Sequence, residues 1–137
     1  MAVDRFEKLV AWQKARVLNR EVYRITGKQP FAKDFALRDQ IRRSSVSAMA
    51  NIAEGFDRAG RREFHQFLVI AKGSCAEVRS HLYAARDAGY LDDAEFSNLY
   101  DLADEASRLI NALRATVAPR NAIAEYAADY ELEEPVK

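Results

Sequence analysis

The sequence has 137 residues, of which 49% are hydrophobic and 31% are charged, with only five glycines and three prolines. This length fits one domain, and the scarcity of Gly and Pro argues against a turn-rich β-sandwich or a disordered chain. The single cysteine, Cys75, excludes an intramolecular disulfide framework and a cysteine-based zinc site. No apolar run approaches the roughly 18 residues of a membrane span, and the first residues lack a signal-peptide stretch, so we expect a cytoplasmic protein without membrane contact.

The formal net charge of zero conceals an asymmetry between the two halves of the chain. Residues 1–72 carry fifteen Lys or Arg against eight Asp or Glu, whereas residues 73–137 carry six against thirteen. Such asymmetry is typical of chains in which one half presents a nucleic-acid surface. Oppositely charged helices that lie side by side, within a subunit or between subunits, explain it as well.

Four helical segments are expected in the chain, separated by residues that end helices. The first covers about residues 5–26 and ends at Gly27. Asp4 is expected to cap it, and Glu7 to complete a capping box. The other three helices are expected at about 34–55, with its end at Gly55, and at 61–88 and 93–118, the last capped by Asp92 or Asp93. Residues 1–118 then form one four-helix domain and residues 119–137 an acidic, partly frayed tail, and no stretch alternates with the period of a strand.

The third and fourth segments carry the strongest apolar periodicity. Their apolar residues recur at alternating spacings of three and four over three heptads, which favours side-by-side packing at a shallow crossing angle. These residues are Phe64, Leu68, Ala71, Cys75, Val78, Leu82 and Ala85 on the third helix, and Phe96, Leu99, Ala103, Ala106, Ile110, Leu113 and Val117 on the fourth.

The first helix has two apolar seams on different sides. One includes Ala11 and Leu18, and the other includes Phe6, Val10 and Val17. A helix that is apolar on more than one side has more than one partner. We therefore expect its second side to contact another subunit.

The second helix combines small residues with charged ones. Its serines and alanines allow close approach of a neighbouring helix, so we expect this helix to be the most buried. Buried charges are costly unless paired, and the helix also carries Gln40, Arg42, Arg43, Asn51 and Glu54. An internal polar network is therefore expected, with Arg43 paired either to Glu54 or to an acidic group of another helix.

No enzyme signature is present, and neither a cofactor nor a metal is expected. The Glu-x-x-His pairs of di-metal bundles are absent, because the residues three before His65 and His81 are Arg62 and Val78. Cys75 lies on the apolar seam of the third helix, where a thiol behaves as a small hydrophobe with a raised pKa. No glycine-rich phosphate loop is found.

Basic residues recur along the first helix and in the loop before the third. Long basic side chains on an exposed helix can follow a phosphate backbone. Aromatic residues are not interleaved with them in the way that indicates base stacking. A solvated face without a ligand explains the same residues, although repetition in a symmetric oligomer would strengthen several weak patches. The candidate contacts with RNA or DNA are Arg16, Arg20, Arg24, Arg58, Arg61 and Arg62.

Two blocks of the second helix are similar to the hallmark of a known family. The run Gln-Ile-Arg-Arg-Ser-Ser-Val-Ser over 40–47 and the run Asn-Ile-Ala-Glu-Gly over 51–55 resemble the four-helix-bundle family of 23S-rRNA intervening-sequence proteins. Supporting blocks stand at 9–12, 67–68, 71–74 and 89–91, so that the resemblance covers roughly residues 5–117. The positions that match the family motif are Gln40, Arg42, Arg43, Asn51, Glu54, Gly55, Gly73 and Ser74.

The resemblance implies an up-down antiparallel four-helix bundle that assembles as a cyclic homo-oligomer, typically of five subunits. Members of the family are not known as enzymes, and relatives serve as accessory proteins of diversity-generating retroelements, in which a basic barrel contacts the reverse transcriptase and nucleic acid. This chain is less basic than those relatives. Its motif residues are interpreted as a packing and polar-network set rather than as catalytic groups.

Two functional hypotheses follow from the sequence. The first is a non-enzymatic oligomeric scaffold that binds RNA or DNA through the basic residues of the first helix and of the 58–62 loop. The alternative is a protein-only adaptor that binds a partner helix or protein without nucleic acid.

Overall fold

The structure, a computed structural model, describes residues 3–58 and 60–117. Within these residues the chain forms four α-helices, two short 3₁₀ helices and no strand, which confirms the expected all-α fold class. The 3₁₀ helices are Phe6–Lys8 and Phe31–Lys33. The α-helices are α1 (Val10–Thr26), α2 (Phe35–Asp57), α3 (Arg61–Asp87) and α4 (Asp93–Val117). The acidic tail expected at 119–137 lies outside the described residues.

Each helix packs against the next one in the chain, and α4 closes the bundle against α1. The contacts between neighbours run in opposite directions along their sequences. On α3, for example, Arg79 bonds to Asp104 of α4, and the earlier residue His65 contacts the later residue Arg114. The helices are therefore antiparallel neighbours, as in an up-and-down bundle.

The core has two halves that follow one another along the bundle axis. One half surrounds Leu18, Ile41 and Leu82, and the other surrounds Ile52, Leu68 and Ile110. The apolar seams expected on the third and fourth helices are confirmed, because every member is buried except Phe64, Leu113 and Val117, which are partly buried. Each fully buried leucine or isoleucine contributes about 1.5–3 kcal/mol relative to an exposed one.

The beginning of the first helix differs from the expected capping box. A 3₁₀ helix precedes α1, the extended residue Leu9 separates the two, and neither helix has a side-chain cap. Leu9 is only 7% exposed, and Phe6 contacts the ring of Trp12 with centroids 5.1 Å apart. Burial of these two apolar side chains outweighs a surface cap of about 1 kcal/mol, and Asp4 pairs with Lys8 instead.

The other helix caps follow local sequence rules. The Asp34 side chain accepts the backbone N–H of Leu37 at 3.1 Å and caps α2. Asp92 and Glu95 form a reciprocal capping box at the start of α4, with bonds of 2.7 and 3.0 Å. Gly89, at φ +82°, takes the left-handed conformation that favours glycine after α3.

The second helix does not end at Gly55, as expected, but continues to Asp57. A Cβ atom at Gly55 would lie 2.5 Å from the Cβ of Phe67 and 3.1 Å from the Phe64 ring. This glycine is therefore required by the close approach of α2 to α3 rather than by a helix end. The expectation that the second helix is the most buried is wrong, since the shorter α1 buries as many residues as α2 does.

The two motif glycines are expected to respond oppositely to alanine. Gly55→Ala should lower the free energy of unfolding by about 1–3 kcal/mol, because the added methyl group overlaps Phe67. Gly73→Ala should raise it by about 0.5–1 kcal/mol, because no atom lies within 4 Å of its Cβ position and helical glycine is unfavourable. Urea unfolding followed by circular dichroism measures the free energy of unfolding of both variants. Equal changes in the two variants would contradict the close approach of α3 at Gly55.

Candidate nucleic-acid interface

Three side chains on the outward face of α1 stand one helical turn apart. Trp12, Arg16 and Arg20 are separated by four residues each, so they share a face over roughly 12 Å of helix. Both arginines are exposed, and the indole is partly buried. The guanidinium carbon of Arg16 lies 5.8 Å from the centroid of the Trp12 ring. Together with Glu7, Gln13 and Val17 they line a pocket of about 350 Å³.

Sequence reasoning missed this pocket, because it found no aromatic residue interleaved with the basic ones. The relevant signal was the spacing of four residues between Trp12, Arg16 and Arg20, which places an aromatic ring beside two guanidinium groups on one helical face. Trp12 is not adjacent to an arginine along the sequence. Only the helical period places it on the same face as Arg16 and Arg20.

Arg24 lies apart from the other two candidate arginines of α1. Its Nε bonds to Glu21 at 2.8 Å, and both residues line a groove between α1 and α4 of about 380 Å³. The other residues of this groove are Glu95, Asn98, Leu99, Asp101, Leu102 and Glu105. With four carboxylates against one guanidinium, the groove repels phosphate.

The candidates of the 58–62 segment take different roles. Arg58 bonds to Glu54 at 3.0 Å and lies 3.7 Å from Glu63, with its guanidinium over the Phe67 ring. Arg61 donates a hydrogen bond to the carbonyl oxygen of Thr116 on α4.

Arg58 and Arg61 therefore connect the α2–α3 junction to the bundle. Arg62 is exposed and forms no ion pair with a carboxylate in the described part of the chain. The six candidates consequently do not form one continuous patch. Arg16 and Arg20 share a pocket, Arg24 borders the acidic groove, and the remaining three lie at the junction.

The motif residues of α2 and α3 form hydrogen bonds between these two helices. The hydroxyl groups of Ser47 and Ser74 are 2.9 Å apart, and Asn51 donates to the Ser47 hydroxyl at 2.9 Å. Ser44 donates to the Glu77 carboxylate at 3.2 Å. A surface groove of about 320 Å³ covers this network and is lined by Gln40, Arg43, Ser44, Ser47, Ser74, Glu77 and His81.

Arg42 joins α2 to α1 instead. Its Nε donates to the Thr26 hydroxyl at 2.8 Å, and its guanidinium lies over the Tyr23 ring. The pairing of Arg43 with Glu54 is wrong, because three helical turns separate them and Glu54 bonds to Arg58. Arg43 is exposed beside the α2–α3 groove.

An ion pair joins the basic half of the chain to the acidic half. It links Lys14 of α1 to Glu105 of α4 at 3.3 Å. Exposed pairs of this kind contribute about 0–1 kcal/mol. Lys14 and Glu105 thus bring oppositely charged groups of the two halves together on neighbouring helices.

The one cysteine of the sequence, Cys75, is buried in the core on α3. Burial raises the pKa of the Cys75 thiol to about 11, despite the nearby Arg79, which confirms that this residue behaves as a small hydrophobe. Within 3–58 and 60–117, no group of three or more His, Cys, Asp or Glu side chains is placed to hold a metal ion. No helix in these ranges is long and apolar enough to cross a membrane.

A buried arginine lies beside a histidine between α3 and α4. Arg114 is 6% exposed, and its Nη1 lies 3.3 Å from the Nε2 of His65. The side-chain oxygen of Asn111 accepts two further bonds from Arg114, at 2.9 and 3.1 Å. Burial and, to a lesser degree, the Arg114 charge lower the pKa of His65 from 6.5.

The lowered pKa of His65 predicts a loss of stability in weak acid. As the pH falls through 6.5, the usual value for this group, the unfolded chain binds the proton before the folded protein does, so the free energy of unfolding decreases until the folded pKa is passed. Urea unfolding at pH 7.5 and 5.5 should show a smaller loss for His65→Gln than for the wild type. Equal losses in the two proteins would contradict this assignment.

Comparisons with known proteins place the chain in a family. The model of the family described as 23S rRNA-intervening sequence protein matches residues 7–112. A solved structure from Bacteroides thetaiotaomicron, a protein with unknown function from the S23 ribosomal protein family, is similar with a TM-score of 0.70 and 22% identity. The likeness covers 77% of this chain and 98% of that one and shows a shared fold. No curated protein gives a match. Because the family model spans most of the chain, from before α1 into α4, this protein belongs to the 23S rRNA-intervening sequence protein family.

Proposed function

We propose that this protein is a cytoplasmic, non-enzymatic scaffold that assembles as a homo-oligomer and binds RNA through the outward face of α1. The observation that carries the proposal is the pair Arg16 and Arg20. Both are exposed and line the pocket that contains Trp12, Arg16 lies over the indole ring, and neither arginine forms an ion pair with a carboxylate of the described residues. The family name refers to intervening sequences of 23S rRNA, which makes RNA the first ligand to test.

Two free guanidinium groups per subunit make a weak phosphate site. Each neutralised phosphate releases counterions, and this release is the main source of non-specific affinity for nucleic acids. Arg62 adds a further exposed charge, whereas Arg58 and Arg61 are already engaged within the subunit. An oligomer that repeats the α1 face would raise the overall affinity through multivalency.

Exposed apolar side chains support the assembly. Val46 of α2 and Val69 and Ile70 of α3 are 40%, 45% and 50% exposed, and exposed apolar surface of this kind marks protein contacts. The second seam expected on α1 is less extensive, because Phe6 packs on Trp12 within the chain and only Val10 is largely exposed. A ring of five subunits is the form that the family resemblance implies.

Light scattering should give a mass several times the 15.5 kDa of one chain, about fivefold for a ring of five. Ile70→Glu should dissociate the assembly, because a charge cannot be buried without a partner. Ser97→Glu, at an exposed position on α4, is the control and should leave the mass unchanged. A wild-type monomer would contradict the proposed assembly.

Anisotropy of a labelled structured RNA, titrated at about 50 and 200 mM salt, tests the binding. Arg16→Ala with Arg20→Ala should weaken binding and reduce the salt slope by about 1–2 for each bound subunit, because two phosphate contacts are lost. Lys33→Ala with Arg108→Ala removes the same charge at exposed positions elsewhere and should have little effect. Equal weakening by both double variants would contradict a site on α1.

The acidic groove between α1 and α4 supports the alternative function. Its floor contains Leu99 and Leu102, and its carboxylates, including Glu21 and Glu105, are complementary to a basic amphipathic helix. A wild-type protein that binds neither RNA nor duplex DNA at 50 mM salt would overturn RNA binding and favour such an adaptor.

A further inference from the structure

We propose that the pocket on α1 takes an unpaired base of single-stranded nucleic acid, which stacks on Trp12 while Arg16 and Arg20 contact the adjacent phosphates. This inference rests on the proposed nucleic-acid binding and specifies its ligand as single-stranded. Aromatic rings bind successive or isolated bases without sequence preference, because every base has a π-face. A base inside a duplex is already stacked and does not offer that face.

The indole is held in place before any ligand binds. Phe6 contacts the Trp12 ring edge-on, with an angle of 65° between the planes. The side chain of Gln13 donates to the carbonyl oxygen of Glu7 at 2.9 Å and so ties the 3₁₀ helix of Phe6 to α1. A fixed ring loses little conformational entropy when a base stacks on it.

The size of the pocket suits a small flat group. Its volume of about 350 Å³ lies at the small end of the range for ligand pockets. Trp12 forms one wall, and the guanidinium of Arg16, 5.8 Å from the ring centroid, is near the outer limit of a cation–π contact. Arg16 therefore has little to lose when it turns toward a phosphate.

The charges around the pocket favour a phosphate on its open side. Arg16 and Arg20 stand one turn apart, and both line the pocket. The one carboxylate at its border, Glu7, already bonds to Arg5 at 3.2 Å, which limits its repulsion of an anion. The other two grooves do not share this combination, because the α1–α4 groove is acidic and neither groove is lined by Phe, Tyr or Trp.

Trp12 is the one tryptophan in the sequence, so its fluorescence reports directly on the pocket. The full-length protein is titrated at about 50 mM salt with the single strands U10 and dT10 and with a ten-base-pair duplex. Binding of each is measured in parallel by anisotropy of labelled copies. Quenching of the tryptophan emission by either single strand, with little quenching at equal duplex occupancy, supports the proposal.

Two variants separate stacking from a structural role of the indole. Trp12→Ala should weaken single-strand binding by about 5- to 150-fold, the cost of one lost base stack, and should leave duplex binding nearly unchanged. Trp12→Phe keeps an aromatic face and should restore most of the single-strand affinity. A merely structural indole would affect single-strand and duplex binding alike.

The outcomes distinguish this inference from the function on which it rests. Single-strand binding with unchanged tryptophan emission, or equal loss of single-strand and duplex affinity in Trp12→Ala, would overturn the stacking pocket while RNA binding stands. If no oligonucleotide binds at 50 mM salt, the proposed function and the pocket both fail.

Discussion

The close contact between α2 and α3 is the constraint on which much of the bundle depends. At Gly55 the two helices approach so closely that a methyl group would overlap Phe67. Two turns earlier on α2, Ser47 meets Ser74 of α3 at hydrogen-bond distance. The junction that carries Arg58, Arg61 and Arg62 directly follows this contact along the chain. Motif residues of α2 and α3 thus act together as a packing and hydrogen-bonding unit.

The bonding partners of each arginine distinguish the arginines that stabilise the fold from those that are candidates for binding a ligand. Arg42 of α2 donates a hydrogen bond to Thr26 of α1. Arg58 forms an ion pair with Glu54 at the end of α2, and Arg61 donates to a backbone carbonyl oxygen of α4. Side chains held in this way have lost the freedom that a phosphate contact needs, and the charge of Arg58 is also neutralised by Glu54. Arg16 and Arg20 instead extend from α1 and line the pocket of the partly buried Trp12. Because affinity for a polyanion comes from charges not already neutralised, the α1 face is the better candidate than the junction.

The side chains on opposite sides of α1 face the core and the proposed ligand pocket, respectively. Leu18 and Val22 are fully buried, while Arg16 and Arg20, each two residues and therefore about half a turn from Leu18, are exposed. The 3₁₀ helix folds Phe6 back onto Trp12 and so removes from the surface part of the apolar seam that the sequence assigns to a neighbouring subunit. The contact between Phe6 and Trp12 therefore covers the half of the core around Ile52 and also forms one wall of the proposed pocket.

The sequence by itself determined the features that depend on neighbours along the chain. Heptad spacing predicted the buried seams of α3 and α4, and local side-chain chemistry predicted a cap at Asp92 or Asp93, which the structure places at Asp92, since both effects act within a few residues. Features that depend on residues distant in sequence were decided by tertiary structure. Burial of Leu9 displaced the first cap, and the approach of Phe67 explains Gly55. Packing energies between helices exceed those of single caps and exposed ion pairs, and therefore the tertiary contacts prevailed where the two conflicted.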